Sequence, residues 1–529
     1  MGDVSAILAA ALGAGILASL LRLPPLVGFL AAGFALNGAG VEAPALLDVI
    51  ADLGITLLLF GIGLKLDVRV LIRREVWLTA TAHMAVASVA TAAFLGLLAV
   101  LGVGLAAEQD WPTLVLVGFA LSFSSTVFVV KVLDERGGAA SLSGRSAIGI
   151  LVVQDLAAVA YLATAHGDPP SLWAVTLILL VPAAFLVRPI LDRLGHAELR
   201  PLFGLVAALV PGYALFDALG LKGDLGALVI GVLLAPHPGS AELSKSLFAT
   251  KELLLVGFFL SIGFIHLPSA EQLMVGALLL LLLPLKALGF AVLLWAHGLR
   301  RRTSVRTATV LANFSEFGLI VAVGAEEQLG EEWVVVIATT VAASFVLSAA
   351  VGRHPDVFVE VARRLLPDRP PERMHADDRP IDVGDAEAVV LGMGRVGRAA
   401  YERLERDYGL RVIGVESLPA RVAKLVAGGL HVVTGDATEP EFWARIRPGD
   451  VKLAVLAMPF HSSNLDALQK LHESEFSGTV AVVARYDDDL REARDLGADT
   501  GFQLYDGVGA ELADRAAREA RLIPRADQD

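Results

Sequence analysis

The sequence predicts an α-helical polytopic membrane protein of about 13 spans, with inverted repeats and broken crossing helices, followed by a Rossmann-like α/β domain. Three observations carry that prediction. Apolar residues make up 55% and charged residues only 19% of the 529 positions, whereas soluble domains hold about 45–50% and 25%. Long apolar stretches fill residues 1–352, and beyond them charges are dense and no comparable stretch occurs. A glycine-rich turn at residues 392–397 separates a strand pattern from a helix pattern. The division expected is a membrane domain over 1–352, a linker with an amphipathic helix over 353–384, and an α/β domain over 385–529.

A span needs about 20 apolar residues to cross roughly 30 Å of hydrocarbon. Thirteen segments qualify: 4–21, 24–38, 46–64, 76–104, 112–130, 146–165, 171–187, 201–216, 223–235, 252–266, 272–297, 307–325 and 332–350. The second and ninth are short. Nothing basic stands between Met1 and the first apolar run, so that run reads as a retained span rather than a cleaved signal. With the N-terminus outside, the inner loops carry Arg22; Lys65, Arg69, Arg73 and Arg74; Lys131, Arg136 and Arg145; and Arg188, Arg193 and Arg200. They continue with Lys245 and Lys251, then Arg300, Arg301, Arg302 and Arg306, and finally Arg353. The opposite loops hold one base, Lys222, among acids such as Glu108, Asp110, Glu271, Glu326 and Glu331. The positive-inside rule therefore predicts an external N-terminus and a cytosolic C-terminal domain.

Composition also excludes some functions. A net charge of −13 argues against a nucleic-acid partner. With no cysteine there is no disulfide, thiolate metal site or thiol redox chemistry.

Ionisable groups within spans cost several kcal/mol unless paired or hydrated, and so mark functional positions. Asp155 stands near the middle of the sixth span beside Gln154, Lys286 midway along the eleventh, and Glu316 in the twelfth; Asp52, in the third, reads as readily as a packing contact. A carboxylate such as Asp155 binds a cation or a proton, and an ion pair with Lys286 serves structure or transport equally. In the fifth span the hydroxyls of Ser122-Phe123-Ser124-Ser125-Thr126 either bond the carbonyls one turn back or re-satisfy the backbone of a broken helix. Asn313-Phe314-Ser315-Glu316 is its counterpart in the twelfth. Spans four to six and eleven to thirteen then form inverted triplets with a polar break in each middle member, a pattern that suggests alternating access.

These residues resemble the monovalent cation:proton antiporter-2 family, on the side of its glutathione-regulated potassium-efflux (Kef) branch. The resemblance runs over nearly the whole chain. It is carried by Asp52 to Ile55, Leu59 to Leu64, Ser124-Ser125-Thr126, the Gln154-Asp155 pair, Leu225 to Ala235, Phe258 to Gly263, Lys286 and Glu316-Phe317, in the family's order. It implies 13 spans, a homodimer in a bacterial inner membrane, and K⁺ (or Na⁺) exchanged for H⁺ by an elevator-like movement. Asp155 is then the carrier carboxylate and the monovalent-cation ligand, and Gln154 a ligand or hydrogen-bond neighbour. Ser125 and Thr126 line the break, Lys286 opposes the charge, and Glu316 stands in the second break. Two departures, Lys65 in place of an acid and Ser315 in place of Gly, bear on local conformation rather than on the transport class.

In the α/β domain, a strand over 386–394 runs into Gly392-Met393-Gly394-Arg395-Val396-Gly397; a helix and a second strand over 411–415 lead to Glu416, 22 positions after Gly394. Strand, glycines, helix and an acid about 20 residues on form a dinucleotide fingerprint. Glu416 accepts from ribose hydroxyls and repels a 2′-phosphate, so AMP or NAD(H) is expected before NADP. Strands over 431–434, 453–457 and 480–483 continue the alternation. The domain resembles the nucleotide-binding subdomain of regulators of K⁺ conductance, which implies a phosphate contact for Arg395 and places Asp436 and Ala437 near the adenosine. After the fifth strand, Arg485 is followed by Asp487, Asp488 and Asp489, a poor match to anionic glutathione. A nucleotide-gated K⁺ channel or uptake protein is the alternative function, but no TVGYG-like filter occurs. A dehydrogenase lacks room for a substrate domain, and no enzymatic activity is expected.

Overall fold

The computed structural model describes residues 2–21, 23–65, 73–135, 141–164, 176–177, 179–180, 182, 198–351, 355–375, 378–379, 384–435, 437–438, 451–473 and 476–520. The seventh expected span falls almost wholly outside them, as do Arg22, Arg69, Arg136, Arg188, Arg193, Arg353 and Asp436. The chain divides into two compact units: residues 1–129, 146–297 and 304–367, and residues 130–145, 298–303 and 368–529.

The helical part of the chain is built from α1 (Gly2–Leu20), α2 (Pro25–Gly38), α3 (Leu46–Lys65), α4 (Arg74–Val100), α5 (Trp111–Ser122), α6 (Thr126–Glu135) and α7 (Leu142–Thr164). It continues with α8 (Leu199–Ala218), α9 (Gly223–Leu234), α10 (Ser240–Ile265), α11 (Ala270–Ala296), α12 (Arg301–Leu311), α13 (Glu316–Gly324) and α14 (Glu331–Val351). Among the described residues eight helices are long and apolar enough to cross a membrane, and the pair α12–α13, bent by 49° at its break, makes a ninth. Three shorter apolar helices, α1 from Val4, α2 and α9, match further expected spans. The tenth span differs from expectation: α10 starts at Ser240, so Lys245 and Lys251 lie within the helix and not in a loop. Lys251 is tolerated there because its ammonium pairs with Glu252 at 3.0 Å.

Local chemistry explains the starts and irregularities. Asp110 caps α5 by accepting from the Thr113 N–H at 3.0 Å, and Ser269 with Gln272 forms a capping box at the start of α11. Inside α8, residues Ala208–Ala214 widen to a π-helix around Pro211, whose ring removes a donor and displaces the preceding turn. In α11 the turn Leu280–Leu282 tightens to 3₁₀ geometry just before Pro284, two residues ahead of Lys286. Packing sorts the helices into two bundles. In one, α3 lies between α9 and α10, and α2 between α1 and α10; in the other, α4 packs on α5 and α11, and α14 on α11 and α13.

The α/β domain is a six-stranded sheet of β1 (Ala388–Leu391), β2 (Val412–Glu416), β3 (Val432–Thr434), β4 (Leu453–Leu456), β5 (Thr479–Ala484) and β6 (Thr500–Gln503). All neighbours are parallel, in the order β3-β2-β1-β4-β5-β6, so the winding reverses beside β1. β1 is buried on both faces: Val389 and Leu391 enter one core with Ile413, Val415 and Leu456, and Ala388 and Val390 enter the other with Tyr401 and Val412. That two-sided burial is why these strands read as continuous apolar runs. Helices α15 (Arg395–Tyr408), α16 (Pro419–Ala427), α17 (His461–His472) and α18 (Asp487–Asp495) form the connections. The sixth strand goes beyond the five expected; Thr500-Gly501-Phe502-Gln503 is an edge strand without the apolar run of the interior ones. It is followed by α19 (Leu504–Glu519). In the linker, a short helix over Pro355–Val361 passes into a 3₁₀ turn over Ala362–Arg364.

Candidate functional site

Two helices break at the same level. α5 stops at Ser122 and α6 restarts at Thr126; α12 stops at Leu311 and α13 restarts at Glu316. Inside a bilayer the open N–H and C=O groups of such breaks need partners from the protein. The Gln154 side chain spans the first break: its Oε1 accepts from the Ser124 N–H at 3.0 Å and its Nε2 donates to the Ser122 carbonyl at 3.3 Å. Lys286 Nζ donates to the carbonyls of Leu121 (3.2 Å) and Phe123 (2.5 Å). It also sits 5.0 Å from the centre of the Phe314 ring.

The second break is tied to the first. Asn313 Oδ1 accepts from the Ser125 N–H at 2.6 Å, and Ser124 Oγ donates to the Leu311 carbonyl at 2.8 Å. Ser348 Oγ donates to the Ala312 carbonyl at 2.6 Å, and Ser344 Oγ accepts from the Phe314 N–H at 3.1 Å. Ser315 caps α13 by accepting from the Phe317 N–H at 3.0 Å, so the serine that replaces the family's glycine has a use as an N-cap. Gly318 lets α13 touch α5: a Cβ there would lie 2.0 Å from the Ala120 carbonyl oxygen.

Two carboxylates face the start of α6. Thr126 Oγ1 donates to Asp155 Oδ2 at 3.3 Å, and Ser315 Oγ donates to Glu316 Oε2 at 3.5 Å. Asp155 and Glu316 are 6% and 4% exposed, and Gln154, Ser125 and Asn313 are fully buried. Helix starts carry partial positive charge and helix ends partial negative charge. The acids therefore stand at the α6 and α13 starts, and the Lys286 ammonium stands at the α5 end.

The expected transport residues thus come together, with two roles refined. Gln154 is a hydrogen-bond strut, its amide oxygen and nitrogen each bound to backbone. Among the described residues Lys286 makes no ion pair with Asp155; its charge is spent on helix-end carbonyls. Sequence reasoning did not reach Ser344 and Ser348. The signal was present: Thr340, Ser344 and Ser348 recur every fourth position on α14, a polar stripe on an apolar helix.

In the α/β domain, Gly392 has φ +92°, and a Cβ at Gly397 would lie 1.9 Å from the Gly392 carbonyl oxygen. Both positions thus require glycine. A Cβ at Gly394 would meet nothing within 4 Å, which leaves open space over the turn where α15 begins. The exposed Arg395 opens that helix. Met393 and Ala437 are core residues, 2% and 4% exposed, so only their backbones are available to a ligand; Val396 is half-buried. Glu416 ends β2, next to β1, and accepts from the Leu418 N–H (3.1 Å) and Arg421 Nη1 (3.2 Å). Beside it the Arg145 guanidinium, in the same compact unit, donates to the Ser417 carbonyl at 2.6 Å. The residues present fit a nucleotide: phosphate over Gly394 at the helix start, ribose at Glu416.

Replacing Gln154 by Leu leaves the Ser124 N–H and Ser122 carbonyl unmet, at about 1–3 kcal/mol each. The thermal midpoint of the detergent-solubilised Gln154→Leu protein is expected to fall by several degrees. An unchanged midpoint would show that the strut is dispensable.

Comparison with known proteins agrees with both halves. Residues 7–352 match the family described as sodium/hydrogen exchanger, transmembrane, and residues 388–503 match the TrkA-N domain. The glutathione-regulated potassium-efflux system protein KefC of Klebsiella pneumoniae (strain 342) is 29% identical over 481 residues, covering 86% of this chain and 74% of that protein. Among solved structures, the sodium proton antiporter MjNhaP1 of Methanocaldococcus jannaschii aligns over 70% of this chain and 99% of its own, at 14% identity and a TM-score of 0.47. The TrkA-N domain of the Escherichia coli inner membrane protein ybaL aligns over 26% of this chain and 98% of its own, at 20% identity and a TM-score of 0.23. With the family match covering well over half of its length, the chain belongs to the sodium/hydrogen exchangers and is a Kef-like cation/proton antiporter with a regulatory TrkA-N domain, not an enzyme.

Proposed function

We propose that the protein exchanges one monovalent cation, K⁺ before Na⁺, for one proton at Asp155, under the control of a nucleotide bound to its cytosolic domain. The observation that carries this reading is the buried Asp155 beside Thr126, at the start of a half-helix inside the crossing. A single carboxylate holds a proton or a cation but not both, so the two alternate and exchange is electroneutral. Glu316, at the second break, supports the site from the start of the other half-helix. The preference for K⁺ follows the similarity to KefC, which is a potassium-efflux protein by name. The two helix bundles support an elevator-like movement, one carrying the crossing and the other serving as a frame for a homodimer. The basic loops support an external N-terminus and a cytosolic C-terminus in a bacterial inner membrane. The domain limits proposed are 1–352, 353–384 and 385–529.

Asp155→Asn is expected to abolish cation-driven proton flux in proteoliposomes while the purified protein keeps its thermal midpoint. Near-normal flux by that variant would remove Asp155 from the mechanism.

The nucleotide is AMP or NAD(H), with phosphate at Gly392, Gly394, Arg395 and Gly397, ribose at Glu416, and Asp436 and Ala437 near the adenosine. A 2′-phosphate meets the Glu416 carboxylate, although Arg421 beside it offsets part of that repulsion. Calorimetry on the full-length protein should show AMP or NAD(H) binding at least about tenfold tighter than NADP, with the difference shrinking in Glu416→Gln. Equal affinities in the parent protein would contradict the role given to Glu416.

Control by glutathione is a separate matter. Arg485 is committed to the Pro459 carbonyl at 2.8 Å, and Asp487, Asp488 and Asp489 open the helix that follows. Millimolar glutathione is expected to change exchange by less than about twofold in the presence of AMP. Strong inhibition that vanishes in Arg485→Ala would show that those three acids do not repel it.

A further inference from the structure

Lys286 meets the α5 carbonyls only if α11 holds a fixed height beside the break, and α11 does not fix that height alone. Its 3₁₀ turn and Pro284 interrupt the regular hydrogen bonding just before Lys286. The contact that compensates comes from α4. His83 is 2% exposed, and its Nε2 lies 3.1 Å from the Lys286 carbonyl oxygen. A carbonyl oxygen only accepts, so this contact assigns the proton to Nε2. Nδ1 is then a bare acceptor, buried with no partner among the described residues. The imidazole lies flat on Phe290, with ring centres 3.5 Å apart and planes at 10°. Gly289 makes the room, since a Cβ there would come within 3.1 Å of His83 Cδ2. One imidazole thus engages the carbonyl, the glycine and the ring of a single turn of α11, the turn that carries the ammonium.

We propose that His83 is a positioning residue for the exchange reaction. Its Nε2–H bond to the Lys286 carbonyl sets where the ammonium meets the Leu121 and Phe123 carbonyls. Through them it sets the geometry of the Thr126 start that faces Asp155. The link to Asp155 rests on the carrier role given above, but the ranking of His83 variants is read from the exchange rate itself. It therefore stands or falls whether or not Asp155→Asn is inactive.

The test compares two substitutions that split the contacts of the imidazole. His83→Gln keeps an N–H donor and loses the ring; His83→Phe keeps the ring stacked on Phe290 and loses the donor. Cation-driven proton flux is measured in proteoliposomes over a range of K⁺ concentrations. His83→Gln is expected to stay within about threefold of the parent, and His83→Phe to lose about tenfold with a raised half-saturating K⁺ concentration. A residue that only fills space gives the opposite order, with Phe tolerated and Gln impaired, and that order would overturn the proposal. Equal, near-parent rates for both would overturn it as well. If His83→Phe does not fold, Gly289→Ala, which presses on the same ring, takes its place. Its flux is expected to fall about fivefold while His83→Gln remains active, and undiminished flux would count against the proposal.

Discussion

The membrane unit depends on one constraint: backbone that leaves the helix inside a bilayer must find every hydrogen-bond partner within the protein. Two breaks cross here, and a cluster of buried polar side chains surrounds them. Gln154 bridges the first break, and Asn313 and Ser124 join it to the second. Ser344 and Ser348 bind the second break to the last helix. Each contact serves a backbone group, and together they hold the two half-helix starts where a mobile ion can be met. The cost of an unmet partner, about 1–3 kcal/mol, makes each of these side chains structurally necessary before it is functionally useful.

The same constraint arranges the charges. A half-helix end exposes partial negative charge, and the Lys286 ammonium neutralises it at α5 by direct contact with two carbonyls. Had Lys286 paired with Asp155 instead, that carboxylate would hold a permanent cation partner, and a transported ion would have to displace an ammonium. With Lys286 committed to the carbonyls, its ammonium is not what an exchangeable proton or cation must displace at Asp155. This is a physical reason for a buried cation and a buried acid to coexist in one crossing without forming the obvious ion pair.

Much of this was legible in the sequence, and the limits have physical causes. Helix positions followed from apolar run lengths, and the breaks from Ser124-Ser125-Thr126 and Asn313 to Glu316, because Ser, Thr and Asn inside spans exist to serve backbone. The Rossmann domain followed from its glycines and from Glu416 at the end of β2, since steric need for glycine is local. What escaped depends on tertiary reach. Run length placed the start of α10 too late because Lys251 reads as a loop residue, while pairing with Glu252 lets the helix continue through it. The target of Lys286 was equally hidden: an ammonium near an acid suggests a pair, and only the spatial arrangement reveals two free carbonyls closer at hand.

His83 marks the far end of that problem. In the sequence it is a lone histidine in an apolar helix, and such a residue is most often a packed core side chain with its nitrogens satisfied. Its contacts with α11 decide otherwise, because they fall on one turn: a carbonyl, a glycine and an aromatic ring within five residues. Concentration on the turn that carries Lys286 ties α4 to the part of α11 that meets the α5 break. A bundle that carries an ion across a membrane needs that rigidity, since a carboxylate displaced from its half-helix start loses the geometry on which binding depends.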